Sequence, residues 1–167
     1  MPTLLASMVS LGILGAIDTY ITATILPLPV WVTFIAWASF FACGGGQHGF
    51  IKSVASNWTG IVIATLSLLA IAHGWNHPLY AAICVGLGTS AMILASAVPL
   101  LNFPPAIVFG FASFVGTSIA TGKDVLTTDL SHPALVTAAA MLLGAAFGYA
   151  SQLGTQMLAR KGVPATT

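Results

Sequence analysis

The sequence predicts an all-α integral membrane protein, and three observations support this fold class. Asp, Glu, Lys and Arg make up 4% of the 167 residues, whereas hydrophobic residues make up 57%. A water-soluble surface normally needs about a quarter of the residues to be charged. Residues Ile61–Leu101 contain no charge. Stretches such as Ile61–Ala72 and Ala134–Tyr149 are apolar all round, which predicts helices rather than the alternating strands of a membrane barrel.

Six spans fit the chain, because a membrane-crossing helix needs about 20 apolar residues. Prolines mark most of the breaks, since proline suits the first turn of a helix better than its interior. The first span has no basic residue before it, so we expect it to be retained and not cleaved as a signal peptide. The predicted spans are Leu4–Ile25, Val30–Gly49, Asn57–His73, Leu79–Val98, Pro105–Thr121 and Pro133–Leu158.

Asp18 is the acidic residue expected inside a span. A carboxylate there costs about 3 kcal/mol on insertion scales, and no Lys or Arg is predicted within a span to pair with it. One interpretation gives Asp18 a transport role, either in proton coupling or in lining a pathway. The alternatives are that it reaches the outer interface, is protonated, or hydrogen-bonds Thr19, Thr22 or Thr24.

The second span ends in three glycines. Each glycine costs a helix about 1 kcal/mol relative to alanine, so Gly44, Gly45 and Gly46 predict that this helix frays or breaks. The glycines either allow close helix packing or present backbone groups to a wet pathway. Gln47 and His48 follow directly and are further candidates to line a pathway, although a loop histidine more often has a structural role.

The third span is expected to begin near Asn57. Asn57 and Thr59 carry side-chain oxygens of the kind that cap a helix N-terminus. If that terminus opens into a vestibule, the same groups are candidates to bind the carbonyl of a solute. Capping alone is the structural alternative.

The two halves of the chain align without a gap when the sequence is shifted by 74 residues. Ala38-Ser39-Phe40 falls on Ala112-Ser113-Phe114, and Gly74 falls on Gly148. We therefore predict a single membrane domain, residues 1–167, built from two three-span repeats at about 4–74 and 78–158. An odd number of spans per repeat means that the second repeat crosses the membrane in the opposite sense, as in many transporters and channels.

Aromatic residues recur on the two middle helices of these repeats. They either pack against lipid and other helices or form a narrow passage that excludes hydrated ions. The candidate aromatic residues are Trp31, Trp37, Phe41, Phe111 and Phe114, of which the last four would form the constriction. Rings of charged side chains, which ion channels often use, are missing from the sequence, so a neutral solute is favoured.

The basic residues predict an orientation, because Lys and Arg favour cytoplasmic loops. With the spans above, Lys52 shares one side with Arg160 and Lys161, and Lys123 lies on the other side. This places both termini in the cytoplasm.

Two stretches carry a resemblance to a known family. They are WVTFIAWASFFACGG (Trp31–Gly45), followed by Lys52-Ser53 and Asn57-x-x-Gly60, and a second pattern over Phe103–Phe114. The chain resembles a bacterial inner-membrane family grouped as domain of unknown function 1097. The resemblance implies a small multispan protein of the bacterial cytoplasmic membrane.

A fainter resemblance is to urea transporters, which pair a Gly-Gln element with a downstream Asn-x-x-Ser-Gly helix start. Gly46-Gln47 and Asn57-Trp58-Thr59-Gly60 are similar to these elements, with Thr59 where that family tends to have serine. This resemblance implies urea or a short amide as the solute.

These observations predict a channel or facilitator for a small neutral polar solute, embedded in the lipid bilayer as a homo-oligomer. Hydrogen bonds to the solute would come from Gln47, Asn57, Thr59 and the backbone of Gly44–Gly46. The alternatives are a proton-coupled transporter that uses Asp18 and a non-transporting scaffold subunit. An enzyme is not expected, since no nucleophile–base pair, metal signature or phosphate loop is visible. We expect no cofactor, no metal and no nucleic-acid partner.

Overall fold

The structure, a computed structural model, describes residues 1–160, and the regular elements there are all helices. Five of them are long and apolar enough to cross a membrane, and the remaining apolar helix, α2, is shorter. The prediction of a multi-pass α-helical membrane protein is therefore confirmed. The helices are α1 (Thr3–Thr24), α2 (Val30–Ala42), α3 (Gly46–His73), α4 (Pro78–Ala95), α5 (Pro104–Thr121) and α6 (Pro133–Arg160), with a 3-10 turn at Pro99–Leu101.

Prolines open the three helices of the second half. Pro78, Pro104 and Pro133 are the first residues of α4, α5 and α6. Proline tolerates this position because the first N–H groups of a helix have no partner within the helix. The predicted starts of these spans are therefore correct to within one residue.

The boundary between the second and third helices differs from the prediction. α2 ends at Ala42, and α3 already begins at Gly46. Gly44–Gly46 have φ angles of 99°, 67° and 63°, which glycine adopts without steric cost. They form a tight turn between antiparallel helices. Asn57 and Thr59 consequently lie inside α3, and their predicted role as an N-terminal cap is wrong.

Successive helices alternate in direction. α3 and α5 run parallel, since Lys52 lies near Phe103 and the later Leu68 lines a cleft with Val115. α2 and α6 also run parallel to each other. Thr33 of α2 lies against Gly144 of α6, and Trp37, one turn later on α2, bonds Ser151, two turns later on α6. The outer helices α1 and α4 pack on α6 and α3 respectively. Lys52 lies within the first two turns of α3, not in a loop as predicted.

Two close helix crossings depend on glycine. A Cβ atom added to Gly60 of α3 would lie 1.9 Å from the carbonyl oxygen of Ile107 on α5. A Cβ atom added to Gly144 of α6 would lie 2.0 Å from the carbonyl oxygen of Thr33 on α2. Both glycines lie near the middle of 28-residue helices, so both crossings occur at the centre of the bundle.

The gapless alignment of the two halves holds for α2 and α5 but not for α3 and α6. Every buried position of α2 recurs 74 residues later in α5, whereas those of α3 recur 84 residues later in α6. The offset grows because α5 and its connection to α6 are longer than α2 and its glycine turn. Gly74 therefore follows the end of α3, while Gly148 is buried inside α6.

The connection between α5 and α6 carries an ion pair. Lys123 Nζ lies 3.9 Å from Asp129 Oδ2 and also contacts the Ser131 hydroxyl. The Asp129 carboxylate accepts hydrogen bonds from the Ser131 backbone N–H and side chain. These bonds, followed by the positive charge of Lys123, lower the pKa of Asp129 below its ordinary value. Of the basic residues used to predict orientation, Lys161 lies outside the described residues.

Candidate functional site

Asp18 on α1 is fully buried against α2. Its Oδ2 lies 2.5 Å from the Thr33 hydroxyl, and the same hydroxyl lies 2.7 Å from the carbonyl oxygen of Val30. A threonine hydroxyl has one hydrogen, so it donates to only one of these two acceptors. Both contacts are hydrogen bonds when the Asp18 carboxyl is protonated and donates to Thr33, which in turn donates to Val30.

The surroundings of Asp18 favour this neutral form. Its second oxygen, Oδ1, has no hydrogen-bond partner among the described residues. The ion pair found within residues 1–160 joins Lys123 and Asp129 in a connecting segment and does not involve Asp18. Asp18 is fully buried between α1 and the first turn of α2, where an unpaired carboxylate is costly. Asp18 is thus an isolated buried acid.

A second polar group joins α2 and α3. The Ser39 hydroxyl donates to Asn57 Oδ1 at 3.0 Å, and the Ser53 hydroxyl donates to Ser39 Oγ at 2.9 Å. Asn57 Nδ2 completes the ring by donating to Ser53 Oγ at 3.3 Å. All three side chains are fully buried. A closed polar network of this kind satisfies its members without water.

A third set of polar side chains lies mainly on α5 and α6, and here the hydroxyls lack partners. Many helical serines and threonines in this protein bond the carbonyl one turn earlier, as Thr65 does to Ile61 and Thr121 does to Thr117. A buried hydroxyl without a partner costs about 1–3 kcal/mol. The buried hydroxyls without a partner in the described chain are those of Ser56, Ser113, Thr117, Ser118 and Thr137.

The Ser39–Ser53–Asn57 network and the hydroxyls of Ser113, Thr117 and Thr137 lie on opposite sides of the central crossings. Ser53 precedes Gly60 by seven residues on α3, and Thr137 precedes Gly144 by seven residues on α6. Because α3 and α6 run in opposite directions, Ser53 and Thr137 lie toward opposite ends of the bundle, each about 10 Å from the central crossing. Buried apolar side chains such as Ile61 and Ile107 lie at the central crossing between them. The two polar groups are therefore separated by an apolar layer.

The four aromatic residues predicted to form a constriction do not form one ring. Phe41 is exposed and lines a cleft with α1 residues such as Leu11. Phe111 instead lies against Gly60 of α3 and Gly88 of α4, and Phe114 is in the core. The α2 helix thus places Phe41 on its outer face, away from α5.

The two predicted tryptophans occupy different environments. Trp37 is buried, and its Nε1 donates to the Ser151 hydroxyl on α6 at 3.0 Å. Trp31 remains 38% exposed, and its ring packs against Gly116 of α5. Trp37 therefore fastens α2 to α6, while Trp31 contributes to the outer surface near α5.

The remaining predicted residues lie at the glycine turn or inside α3. The backbone N–H of Gly46 donates to Gln152 Oε1 at 2.7 Å, so α6 fixes the turn. Gln47 is exposed and lines an open cleft of about 450 Å³. Thr59 bonds the carbonyl of Ala55. Of the predicted hydrogen-bonding groups, Asn57 is the one that joins a buried polar network.

Sequence reasoning missed several of the polar residues that the fold brings together. Thr33, Ser39, Ser53 and Thr137 are small and lie in apolar stretches, where serine and threonine are common in membrane helices. One signal was present, since Ser39 falls on Ser113 in the 74-residue alignment. A serine that recurs at the same position of two otherwise apolar helices is the signal that could have identified Ser39 and Ser113.

Comparison with known proteins places the chain in a family. Residues 8–156 match the family described as "Protein of unknown function (DUF1097)". A 44-residue segment is 46% identical to "Uncharacterized protein YahC" of Escherichia coli (strain K12), and this segment covers 26% of each chain. No solved structure matches, and these comparisons do not show the resemblance to urea transporters. Because the match extends over most of its length, the chain belongs to the DUF1097 family.

Proposed function

We propose that this protein is a proton-coupled transporter of a small neutral polar solute, in a closed conformation here. The observation that carries the proposal is the buried Asp18 carboxyl, which contacts the Thr33 hydroxyl and has no counter-charge among the described residues. Intramembrane acids with these properties act as proton carriers in many pumps and transporters.

An inverted repeat is part of the proposal. The matching buried positions of α2 with α5 and of α3 with α6 support two related three-helix units. The packing also corresponds, since α3 on α5 and α2 on α6 are the two most extensive helix contacts. Transporters built from such repeats commonly carry the substrate near the interface of the two units.

The polar side chains inside the bundle favour a neutral solute. Serine, threonine and asparagine supply hydrogen bonds on both sides of the apolar layer. Among residues 1–159, Asp18 is the one buried side chain of a formally charged type (Asp, Glu, Lys or Arg). In its protonated form it adds no charge to the interior. A solute that exchanges hydrogen bonds with water for hydrogen bonds with hydroxyls and amides fits this interior, and urea or a short amide has the required groups.

A passive channel is the second candidate. It is favoured by the two polar groups themselves, which lie on opposite sides of the apolar layer and contain no ionisable side chain. In that case the apolar layer around Ile61 and Ile107 would act as a gate that opens without proton movement. The alternative of a non-transporting scaffold subunit predicts no solute flux under any condition.

Flux measurements on purified protein in liposomes test these candidates. Urea, acetamide, glycerol, formate and ammonia would each be tested with and without an inward proton gradient. A coupled transporter should concentrate one of the neutral solutes only when the gradient is present, and Asp18→Asn should lose that uphill uptake. Asp129→Asn is the matched control, because it removes an exposed acid outside the bundle.

The outcomes separate the three functions. Flux that is independent of the gradient and is retained in Asp18→Asn would favour the channel. Equal permeability of liposomes with and without the protein, across the whole panel, would favour the scaffold and contradict transport.

The proposed setting is the bacterial inner membrane, with both termini in the cytoplasm and the protein assembled as a small homo-oligomeric ring. This orientation follows from the basic residues, which favour the cytoplasmic side. Lys52 and Arg160 lie toward one side of the membrane, and Lys123 lies toward the other. Labelling of a cysteine introduced at Thr128, in a variant whose Cys43 and Cys84 are replaced by alanine and in cells of known membrane integrity, should succeed from the periplasmic side alone.

A further inference from the structure

The Asn57 side chain supplies a carboxamide group to two buried serines. Its Oδ1 accepts from Ser39 and its Nδ2 donates to Ser53. The two serines lie on neighbouring helices and have no other side-chain partner beyond each other. In this half of the protein, a planar amide group therefore fills the space between α2 and α3 and satisfies both hydroxyls.

The other half has equivalent hydroxyls but no amide. By the offsets that relate the buried positions, Ser39 corresponds to Ser113 on α5, and Ser53 corresponds to Thr137 on α6. Both are fully buried. The position that corresponds to Asn57 is Met141, which is buried and apolar. The residues that would accept or donate to an amide are present, and the amide itself is absent.

These hydroxyls are left without partners. Ser113 and Thr137 make no hydrogen bond in the described chain, and neither does Thr117, which lies one turn after Ser113 on α5. Thr121, one turn further along the same helix, bonds the carbonyl of Thr117. Local helix geometry therefore permits the usual bond to the preceding turn, and the three inner hydroxyls do not use it.

We propose that Ser113, Thr117 and Thr137 bind the carboxamide group of a small neutral solute once the Met141 side chain, which fills the counterpart of the Asn57 place in this closed conformation, moves aside. The inference rests on the proposed function and deepens it, because it names the chemical group that the transported solute presents. A primary amide carries an acceptor oxygen and N–H donors in one plane, as the Asn57 side chain does.

An open cleft lies near the site. The hydroxyl of Ser118, next to Thr117, lines an open cleft of about 490 Å³ between α3 and α5. Lys123 and Asp124 lie at the same cleft. Because the three inner hydroxyls are enclosed, this cleft must deepen along α5 before a solute reaches them.

The substitution Met141→Asn tests the proposal by supplying the missing amide. It should raise the thermal unfolding temperature of the purified protein in detergent, because the new side chain satisfies Ser113 and Thr137. Acetamide should raise the unfolding temperature of the wild type and should have no effect on Met141→Asn. The matched control is Met141→Leu, which keeps an apolar side chain of similar volume and should still respond to acetamide.

The choice of probe separates amide recognition from general solvent effects. Acetone has the carbonyl oxygen without the N–H donors, and acetate has a charge that the site does not neutralise, so neither should stabilise the wild type. Urea is avoided in this assay because it unfolds proteins at high concentration. An equal response to acetone and acetamide would contradict the proposal.

A second variant keeps the proposal testable if Met141→Asn does not fold. Ser113→Ala removes one hydroxyl with little change in volume and should weaken acetamide binding roughly tenfold. The affinity would be measured by saturation-transfer NMR on the acetamide methyl group. Unchanged affinity in Ser113→Ala, or no acetamide binding to the wild type, would overturn the proposal.

The binding result and the flux result can differ. Amide binding that Met141→Asn abolishes, in a protein that transports nothing, would support this site and contradict the proposed function. Solute flux that is the same in wild type and Met141→Asn would contradict this site and leave the proposed function standing.

Discussion

Gly60 of α3 lies so close to Ile107 of α5 that an added Cβ atom would be 1.9 Å from the Ile107 carbonyl oxygen. The neighbouring atoms belong to the backbone, so they cannot rotate away as a side chain would. We expect Gly60→Ala to destabilise the protein by about 3 kcal/mol or more, since overpacking forces the two helices apart. Thermal unfolding in detergent measures this change.

Gly86→Ala is the control for that substitution. Gly86 is also a helix residue, but a Cβ atom added there has nothing within 4 Å. Alanine is the better helix former, so this variant should be neutral or more stable by about 0.5–1 kcal/mol. Equal effects of the two substitutions would contradict the close crossing of α3 and α5.

The protonation of Asp18 gives a second prediction. A neutral carboxyl has an infrared carbonyl band that a carboxylate lacks, so the wild type at pH 7 should show this band and Asp18→Asn should not. Asp129→Asn should retain it, because Asp129 is exposed and paired with Lys123. Asp18→Asn should also fold with nearly unchanged stability, since an amide is neutral and close in shape. A band that is absent from the wild type would show that Asp18 is ionised.

The third prediction concerns Asn57. Replacing it with leucine leaves the Ser39 and Ser53 hydroxyls short of a partner in a buried site. The expected cost is about 1–3 kcal/mol, the usual penalty for an unsatisfied buried polar group. Thr59→Val is the control, because Thr59 bonds only the carbonyl of its own helix at Ala55. Chemical unfolding of both variants in the same detergent would reveal the difference.

A fourth prediction follows from the lowered pKa of Asp129. Its folded pKa is below the ordinary value of 3.8 because of the hydrogen bonds from Ser131 and the charge of Lys123. Stabilisation of this kind is present above the ordinary pKa and is lost as the pH falls through the folded value. The difference in unfolding temperature between wild type and Asp129→Asn should therefore be constant from pH 7 to about 5.

That difference should shrink at lower pH and vanish once both proteins are neutral at this position. Because Asp129 is exposed, the effect should also weaken in high salt. Thr128→Ala, which leaves the carboxylate in place, serves as the control and should keep the pH dependence of the wild type. A difference that grows on acidification would contradict the hydrogen bonding seen around Asp129.

Much of the fold was predictable because apolar length and proline position act locally. Pro78, Pro104 and Pro133 open helices where expected, since a proline affects the turn in which it lies. The α2–α3 boundary was not predictable in the same way. Gly44–Gly46 allow either a kinked helix or a tight turn, and the contact of Gly46 with Gln152, more than a hundred residues later, fixes the turn.

The candidate site was less predictable because it depends on pairs from distant parts of the chain. Asp18 stood out by its charge alone, but its partner Thr33 is one of many hydroxyls in apolar stretches. The aromatic constriction was expected because the rings recur in both halves. Helix rotation decides which side of α2 faces inward, and it places Phe41 outside and Phe40 inside. A span that is apolar all round contains no signal for that rotation.

The short length of α2 has a consequence for the membrane around it. Thr33 contacts both Asp18 of α1 and Gly144 of α6, so these residues lie at a similar depth. Toward the same membrane face, α1 ends at Thr24, about 9 Å from Asp18, whereas α6 extends to Pro133, about 16 Å from Gly144. The corner at Ile25–Pro29 is therefore recessed below the ends of the long helices, and lipid head groups or water must descend to cover it. Membrane voltage then falls over a thinner layer on that face, and bilayers with shorter lipid chains should suit the protein best.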